Sequence, residues 1–250
     1  MKKLTLVVVA VAVALLSLYS WAAPAPPGEG WVSLFNGKDF TGWKVPDAAK
    51  DCWSIVDGTI DCDPKTGREG DTAVWSEQEL GDIELYCEWK IKRTEGIYNV
   101  PTVLPSGLDA TDASGKKIVT PMPGADSGIY LRGASKAQVN IWCWPIGSGE
   151  VYGYRMDEKM PPEVRAGVTP KKKADKPVGE WNTFLITMKG DRLTVVLNGE
   201  TVIDKAQLPG VPEKGPIALQ MHGGYDEAKK EWNGASSLVQ FRNIYYRAAK

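Results

Sequence analysis

From Trp31 onward, apolar side chains recur at every second position far more often than at a spacing of 3.6, and Gly, Pro, Asn or Asp closes nearly every run. Successive side chains of a strand point to opposite faces, so the pattern predicts half-buried strands throughout and no amphipathic helix. Over 82–92, one face carries Ile83, Leu85, Cys87, Trp89 and Ile91, and the other Glu84, Tyr86, Glu88 and Lys90. Over 127–133, Ile129 and Leu131 oppose Tyr130 and Arg132. Over 137–144, Val139, Ile141 and Cys143 oppose Gln138, Asn140, Trp142 and Trp144. Over 217–222, Ile217, Leu219 and Met221 oppose Ala218, Gln220 and His222. Further strands are expected over 182–189 and 238–246. Asp57-Gly58 and Asn198-Gly199 sit between apolar runs as type I′ hairpin turns, where two successive residues need positive φ. The prediction is an all-β fold, a two-sheet antiparallel jelly-roll sandwich. Two segments break the rhythm, 95–124 and 155–179, and read as long Pro-, Gly-, Lys- and Asp-rich loops.

The first residues have a different character. Lys2 and Lys3 precede an apolar run from Leu4 to Leu18, and Ser20 and Ala22 supply the small residues a signal peptidase reads. The expectation is a signal peptide over 1–22, a Pro-rich linker over 23–30 and a single domain over 31–250. Export to the periplasm or the extracellular space follows, with no stable membrane anchor once the leader is removed. Thirty basic against 31 acidic residues, without a basic cluster, give no electrostatic reason to hold nucleic acid. With one His and four Cys, a zinc site of the His-rich or CxxC kind cannot be written.

If those four strands share a sheet, its polar face gathers carboxylates, amides, an Arg, the single His, two Tyr and two Trp. Aromatic rings cover the apolar face of a pyranose while amides, carboxylates and guanidinium match its hydroxyls, so this face is predicted to be a sugar site. The competing view is an ordinary sheet face turned to water, which has little reason to display Trp142 and Trp144 together. His222 is the only imidazole available as a base near neutral pH or as a nitrogen ligand. Glu88 is a candidate base or metal ligand, or else a partner of Lys90 or Arg132. Asp126 is a candidate catalytic carboxylate or a turn-closing residue. Glu150, Tyr152 and Tyr154 are placed at the pocket edge. Cys52 and Cys62 flank the first hairpin, but with a two-residue turn Cys62 faces Trp53, so a disulfide there needs a bulge or slipped register. Cys87 and Cys143 fall on apolar faces, and no cysteine is predicted to be catalytic.

The chain resembles the 3-keto-disaccharide hydrolase family, also described as 3-keto-glucoside lyase and hydratase domains. The resemblance rests on Trp31-Val-Ser-Leu-Phe-Asn-Gly-Lys-Asp-Phe-Thr-Gly-Trp43, Gly81-Asp-Ile-Glu-Leu-Tyr-Cys-Glu-Trp89 and Asp126-Ser-Gly-Ile-Tyr-Leu-Arg-Gly133. Gly179-Glu-Trp-Asn182, Val196-Leu-Asn-Gly199, Ile217-Ala-Leu-Gln-Met-His-Gly223 and Val239-Gln-Phe-Arg-Asn-Ile244 complete it. It implies a concanavalin A-like sandwich, of the lectin and glucanase type, acting on glycosides oxidised at carbon 3. Two acidic positions common in such proteins are Gln138 and Cys143 here, and 95–124 looks inserted. The Glu-x-Asp-x-x-Glu signature of retaining glucanases is absent.

Such chemistry needs a base for the proton on carbon 2, a group or a divalent metal for the enolate oxygen, and a proton for the departing oxygen. The candidates are His222, Glu88 and Asp126 for catalysis, Arg132, Gln138, Asn140 and Gln220 as oxygen binders, and Trp142, Trp144 and Tyr154 as the sugar platform. The metal ligands are unknown. The expected partner is a 3-keto glycoside or another carbohydrate, and the alternative is a carbohydrate-binding sandwich without catalysis.

Overall fold

The computed structural model describes residue 26, residues 28–64 and residues 72–249. The leader expected over 1–22 lies outside the described residues. In chain order the strands are β1 (Val32–Ser33), β2 (Trp43–Lys44), β3 (Trp53–Val56), β4 (Thr59–Cys62), β5 (Thr72–Leu80), β6 (Ile83–Ile91), β7 (Ile97–Pro101), β8 (Val119–Pro123), β9 (Asp126–Leu131) and β10 (Ala134–Trp142). Two short helices follow, α1 (Tyr152–Arg155) and α2 (Pro162–Gly167). The rest are β11 (Asn182–Lys189), β12 (Arg192–Leu197), β13 (Glu200–Gln207), β14 (Gly215–Met221), β15 (Gly224–Asp226), β16 (Glu231–Asn233) and β17 (Val239–Ala248).

The large sheet runs β13-β12-β11-β6-β17-β4-β3, with β1 also on β17. A five-stranded sheet runs β10-β9-β14-β5-β2. Their pairings are antiparallel, and the two inner faces form one core, as a sandwich requires. Leu85, Cys87, Phe184, Ile186, Leu193 and Phe241 bury from the large sheet; Val74, Ile129, Val139, Ile141, Leu219 and Met221 bury from the other. Each large side chain taken fully out of water contributes about 1.5–3 kcal/mol, which is what fixes the faces.

Both hairpin turns adopt the expected geometry, with φ of 48° and 73° at Asp57-Gly58 and 53° and 85° at Asn198-Gly199. Trp53 pairs with Cys62, and none of the four cysteines is joined in a disulfide. On β17 the register against β6 slips by one residue between Arg242 and Tyr245, where Asn243 takes φ 51°. The slip brings Ile244 into the core after Val239 and Phe241.

Three sequence expectations are corrected here. Segment 95–124 holds the two-stranded arm β7-β8 rather than a plain loop, and 155–179 contains α2. Cys143 is half-buried where Cys87 is fully buried. The third correction matters most: β6 pairs with β11 and β17 in the large sheet, so it does not share a sheet with β9, β10 and β14. Its place beside β14 is taken by β5, which alternates too poorly at Ser76–Glu79 to be recognised from periodicity.

Candidate functional site

The outer face of the five-stranded sheet is built by register. Gln138 pairs with Tyr130, Asn140 with Gly128 and Trp142 with Asp126 across β10 and β9. Ala218 pairs with Tyr130 across β14 and β9, and Gln220 pairs with Ala73 of β5. Extended by two and four residues, the β14–β9 register sets Gln220 across from Gly128 and His222 across from Asp126. One row therefore runs Asn140, Gly128, Gln220, and the next, toward the sheet end, Trp142, Asp126, His222.

Gly128 is there because the face needs room. A Cβ on it would stand 2.4 Å from Gln138 Nε2, and that amide lies over the glycine to donate to Gln220 Oε1. Gln220 is buried at its place while Gln138 is half-buried, so the amide pair spans the middle of the face. Two residues along, Trp75 stacks at a tilt on Tyr130 with 5.7 Å between ring centres, backed by Ala73 and Ala218. Trp75 is an aromatic surface that sequence analysis missed because β5 itself was missed.

At the sheet end, Ser237 sits between the strands: the His222 backbone N–H donates to its Oγ at 2.8 Å, and that hydroxyl donates to the Asp126 carbonyl. The His222 ring is held by Nδ1 against the Ala235 carbonyl at 2.7 Å. A carbonyl oxygen only accepts, so Nδ1 carries a proton. Gly234 allows the close approach, since a Cβ there would lie 3.3 Å from His222 Cε1. Tyr98 of the β7-β8 arm donates to the Gly234 carbonyl at 2.6 Å, so the arm braces the loop that packs against the imidazole.

Beyond β10, the Asn140 N–H donates to the Glu150 carbonyl at 2.9 Å. Glu150 is fully buried against the Arg155 guanidinium. Arg155 in turn reaches Asp109 Oδ1 at 2.8 Å and the Gly107 carbonyl at 3.2 Å, both from the loop of the arm. Lys117 meets the other Asp109 oxygen at 2.8 Å. Burial pushes the Glu150 carboxyl up to about 7, against the pull of Arg155. Nothing in the sequence brings Asp109, Lys117 and Arg155 together, because they meet only through the fold-back of the arm. A carboxyl raised in the folded state favours folding when protonated, so its contribution is complete below about 4.5 and is lost as pH rises through about 7. Glu150→Gln is expected to remove that loss. Thermal midpoints of both proteins from about pH 4.5 to 7.5 check this, and parallel curves would contradict it.

Five predicted site residues lie elsewhere or are otherwise engaged. Glu88 stands on the outer face of the large sheet, where Arg242 Nε donates to it at 2.7 Å and the Tyr86 hydroxyl at 3.0 Å. Burial, with the Glu88 charge behind it, pushes the Tyr86 phenol up to about 12. Arg132 belongs to the Arg132-Gly133 turn, with φ of 51° and 72°, and its buried guanidinium is spent on Gly81, Asp82, Gly190 and Pro212. Tyr154 is a core residue whose hydroxyl donates to the Pro209 carbonyl at 3.1 Å. Trp142 and Trp144 are side by side as expected, but they stack on each other at 4.0 Å and 2°, with Tyr152 edge-on to both. Trp142 is buried and donates to the Gly147 carbonyl at 2.7 Å, so the pair is a packed cluster rather than an open platform.

Gln138 and Gln220 meet through their side chains, the backbones of Asp126 and His222 are joined by the Ser237 hydroxyl, and Asn140 lies buried on the same sheet face. Among the described residues no three His, Cys, Asp or Glu side chains gather as a metal-binding set, so no step is derived through a metal. No described helix is long and apolar enough to cross a membrane.

Solved structures share this architecture. A protein of Parabacteroides distasonis ATCC 8503, whose description as a glycosyl hydrolase is itself provisional, superposes with a TM-score of 0.53 at 21% identity, covering 88% of this chain and all of that one. SCLam, a non-specific endo-beta-1,3(4)-glucanase of family GH16, superposes at 0.50 with 10% identity, covering 90% and 94%. At such identities the likeness is one of fold, a concanavalin A-like sandwich. No curated protein matches the sequence. Residues 30–247 do match a family described as the 3-keto-alpha-glucoside-1,2-lyase-like domain, and over that span the chain belongs to this family.

Proposed function

We propose that the protein cleaves the glycosidic bond of 3-keto-glucosides, with the sugar on the outer face of the five-stranded sheet. The observation that supports this best is the Gln138–Gln220 amide pair over Gly128, with the Ser237 hydroxyl joining the His222 backbone N–H to the Asp126 carbonyl at the sheet end. Trp75 covers the apolar side of the ring, while the half-buried Gln138 amide, backed by the buried Gln220, meets a hydroxyl or the carbonyl oxygen. His222 Nε2 removes the proton on carbon 2, whose electrons delocalise into the carbon 3 carbonyl as an enolate. The enolate collapses to a carbon 1–carbon 2 double bond, the bond from carbon 1 to the aglycone oxygen breaks, and that oxygen takes the proton from the imidazolium. Water then adds, oxygen to carbon 1 and hydrogen to carbon 2, giving the free 3-keto sugar. Glu88 has no part in this assignment.

Incubation of 4-nitrophenyl 3-keto-glucoside in deuterated water tests the reading. The expected result is release of nitrophenol with deuterium at carbon 2 of the sugar in the first turnovers; release without deuterium would replace elimination by direct hydrolysis. The neutral amide bond between Gln138 and Gln220 favours a second reading, a carbohydrate-binding sandwich. Calorimetric binding of the unoxidised glucoside, with no product from the keto sugar, would select it.

A further inference from the structure

The outer face of the large sheet carries a groove of about 430 Å³ at its β13-β12-β11 end, on the opposite side of the sandwich from the Gln138–Gln220 pair. It is lined by Thr187, Lys189, Arg192, Thr194 and Lys205, three cations and two hydroxyls with no carboxylate among them. Register puts them there. Thr187 pairs with Thr194 and Lys189 with Arg192 across β11 and β12, while Ile186, Met188, Leu193 and Val195 turn into the core. Two of these placements cost stability. Lys189 and Arg192 are like charges directly across a strand pair, and Lys205 holds φ 47°, in the left-handed region that favours glycine. The β12–β13 register shifts along this stretch, and the Lys205 N–H donates to Thr194 Oγ1 at 3.1 Å, so that hydroxyl keeps its own proton to donate. Departures from local rules that converge on one cavity point to a ligand rather than to packing.

The charges around the groove narrow the choice of ligand. Asp191 stands 3.4 Å from Arg192 Nε and also accepts from Gln207 Nε2 at 2.7 Å. Glu84, which pairs with Thr187 across β6 and β11, is held by Arg247, and Asp204 precedes Lys205 without lining the groove. Three lining cations against the one carboxylate of Asp191 leave an excess of two positive charges. A phosphate monoester carries nearly two negative charges at neutral pH, offers three acceptor oxygens, and suits a guanidinium fork beside two ammonium groups. The groove is far larger than one phosphate group and falls in the range of about 300–1,000 Å³ usual for small-molecule sites, with lysine and arginine stems for an attached skeleton. We propose that it binds a small phosphorylated molecule, with the phosphate on Lys189, Arg192 and Lys205 and the carbon skeleton along their stems. This site does not depend on the proposed cleavage of 3-keto-glucosides.

Calorimetry of the whole protein with glucose 6-phosphate in about 0.15 M sodium chloride, where long-range attraction is screened, tests this. One saturable site with a Kd below about 1 mM is expected. Lys189→Gln and Lys205→Gly should each weaken binding about fivefold or more, and Thr187→Val, which keeps the strand and the charge, about threefold. Lys50→Gln is the control: it removes the same charge from an exposed lysine beside β3, at the other end of the large sheet, and should leave binding unchanged. Lys189→Gln and Lys205→Gly should also be at least as stable as wild type, because one ends the like-charge pair and the other relieves the backbone at its position. A lower thermal midpoint in both would assign these lysines to the fold and overturn the site. Equal weakening by Lys50→Gln would reduce the groove to general surface charge, and no saturable heat up to about 10 mM would likewise overturn it. Inorganic phosphate binding as tightly as glucose 6-phosphate would replace the phosphorylated molecule by the bare ion. Co-sedimentation with phosphatidic acid vesicles, without binding of the soluble ester, would replace it by a lipid headgroup.

Discussion

Replacing His222 by Ala is expected to lower turnover of a 3-keto-glucoside by about 10²–10³-fold, the range in which a positioned general base works. The ring is held for that task, with Nδ1 fixed on the Ala235 carbonyl and the backbone N–H fixed on Ser237. Those contacts also predict where the loss falls. The imidazole acts on the proton of carbon 2 rather than on the hydroxyls, so kcat should fall while KM stays within a small factor. Glu88→Gln is the matched control: it weakens the bond from Arg242 on the other sheet, costs about 1 kcal/mol of stability, and leaves turnover near wild type. Steady-state kinetics on the same keto substrate, with denaturation midpoints for both variants, distinguish the roles. Near wild-type kcat in His222→Ala, or a collapse of kcat in Glu88→Gln, would reverse the assignment.

The largest effect on stability is expected at Arg132, a residue that strand alternation alone assigns to the sugar. Its guanidinium is buried and donates to the Gly81 carbonyl at 3.0 Å, the Gly190 carbonyl at 2.7 Å, the Pro212 carbonyl at 3.0 Å and Asp82 Oδ1 at 2.8 Å. Asp82 also accepts from the Gly190 N–H at 2.8 Å. One planar cation thus ties the β5–β6 turn, the β11–β12 turn and the approach to β14, across both sheets. Arg132→Met keeps much of the stem but strands three carbonyl oxygens, and removing one member of such a buried network costs about 3–5 kcal/mol. For a domain of this size that is a fall of roughly 10 °C in thermal midpoint. Arg132→Lys should recover only part of it, because an ammonium cannot reproduce the planar fork. A loss below about 1 kcal/mol, or a large fall in kcat at full stability, would return Arg132 to the sugar site.

These two residues show what was legible in the chain and what was not. Alternation placed His222, Gln220, Gln138 and Asn140 on one face because regular strands enforce it. It failed at Arg132 because the residue sits in a two-residue turn with positive φ, where the side chain leaves the pleat. It failed differently for Glu88: the inner and outer sides of β6 were assigned correctly, but periodicity carries no information on which strands are neighbours. Trp75 was lost with β5, whose polar end at Ser76–Glu79 hides the strand. The alternation locates the Trp142–Trp144 pair but not its packing, since Tyr152 of α1 and the Gly147 carbonyl of the preceding loop close on it. Glu150 and Arg155 gave no sign of their shared network, because Asp109 and Lys117 arrive through a long excursion of the chain.

The position of β17 bears on how the molecule comes to exist at all. The last strand among the described residues is an inner member of the large sheet, hydrogen-bonded to β6 on one side and β4 on the other, with β1 on its margin. During synthesis β4 and β6 therefore wait, each with an unfilled strand border, until residues 239–248 emerge. Such long-range closure makes folding slow, and a nascent chain halted before Val239 presents open borders to other chains. Aggregation of prematurely terminated product, rather than accumulation of a soluble fragment, is the physical consequence.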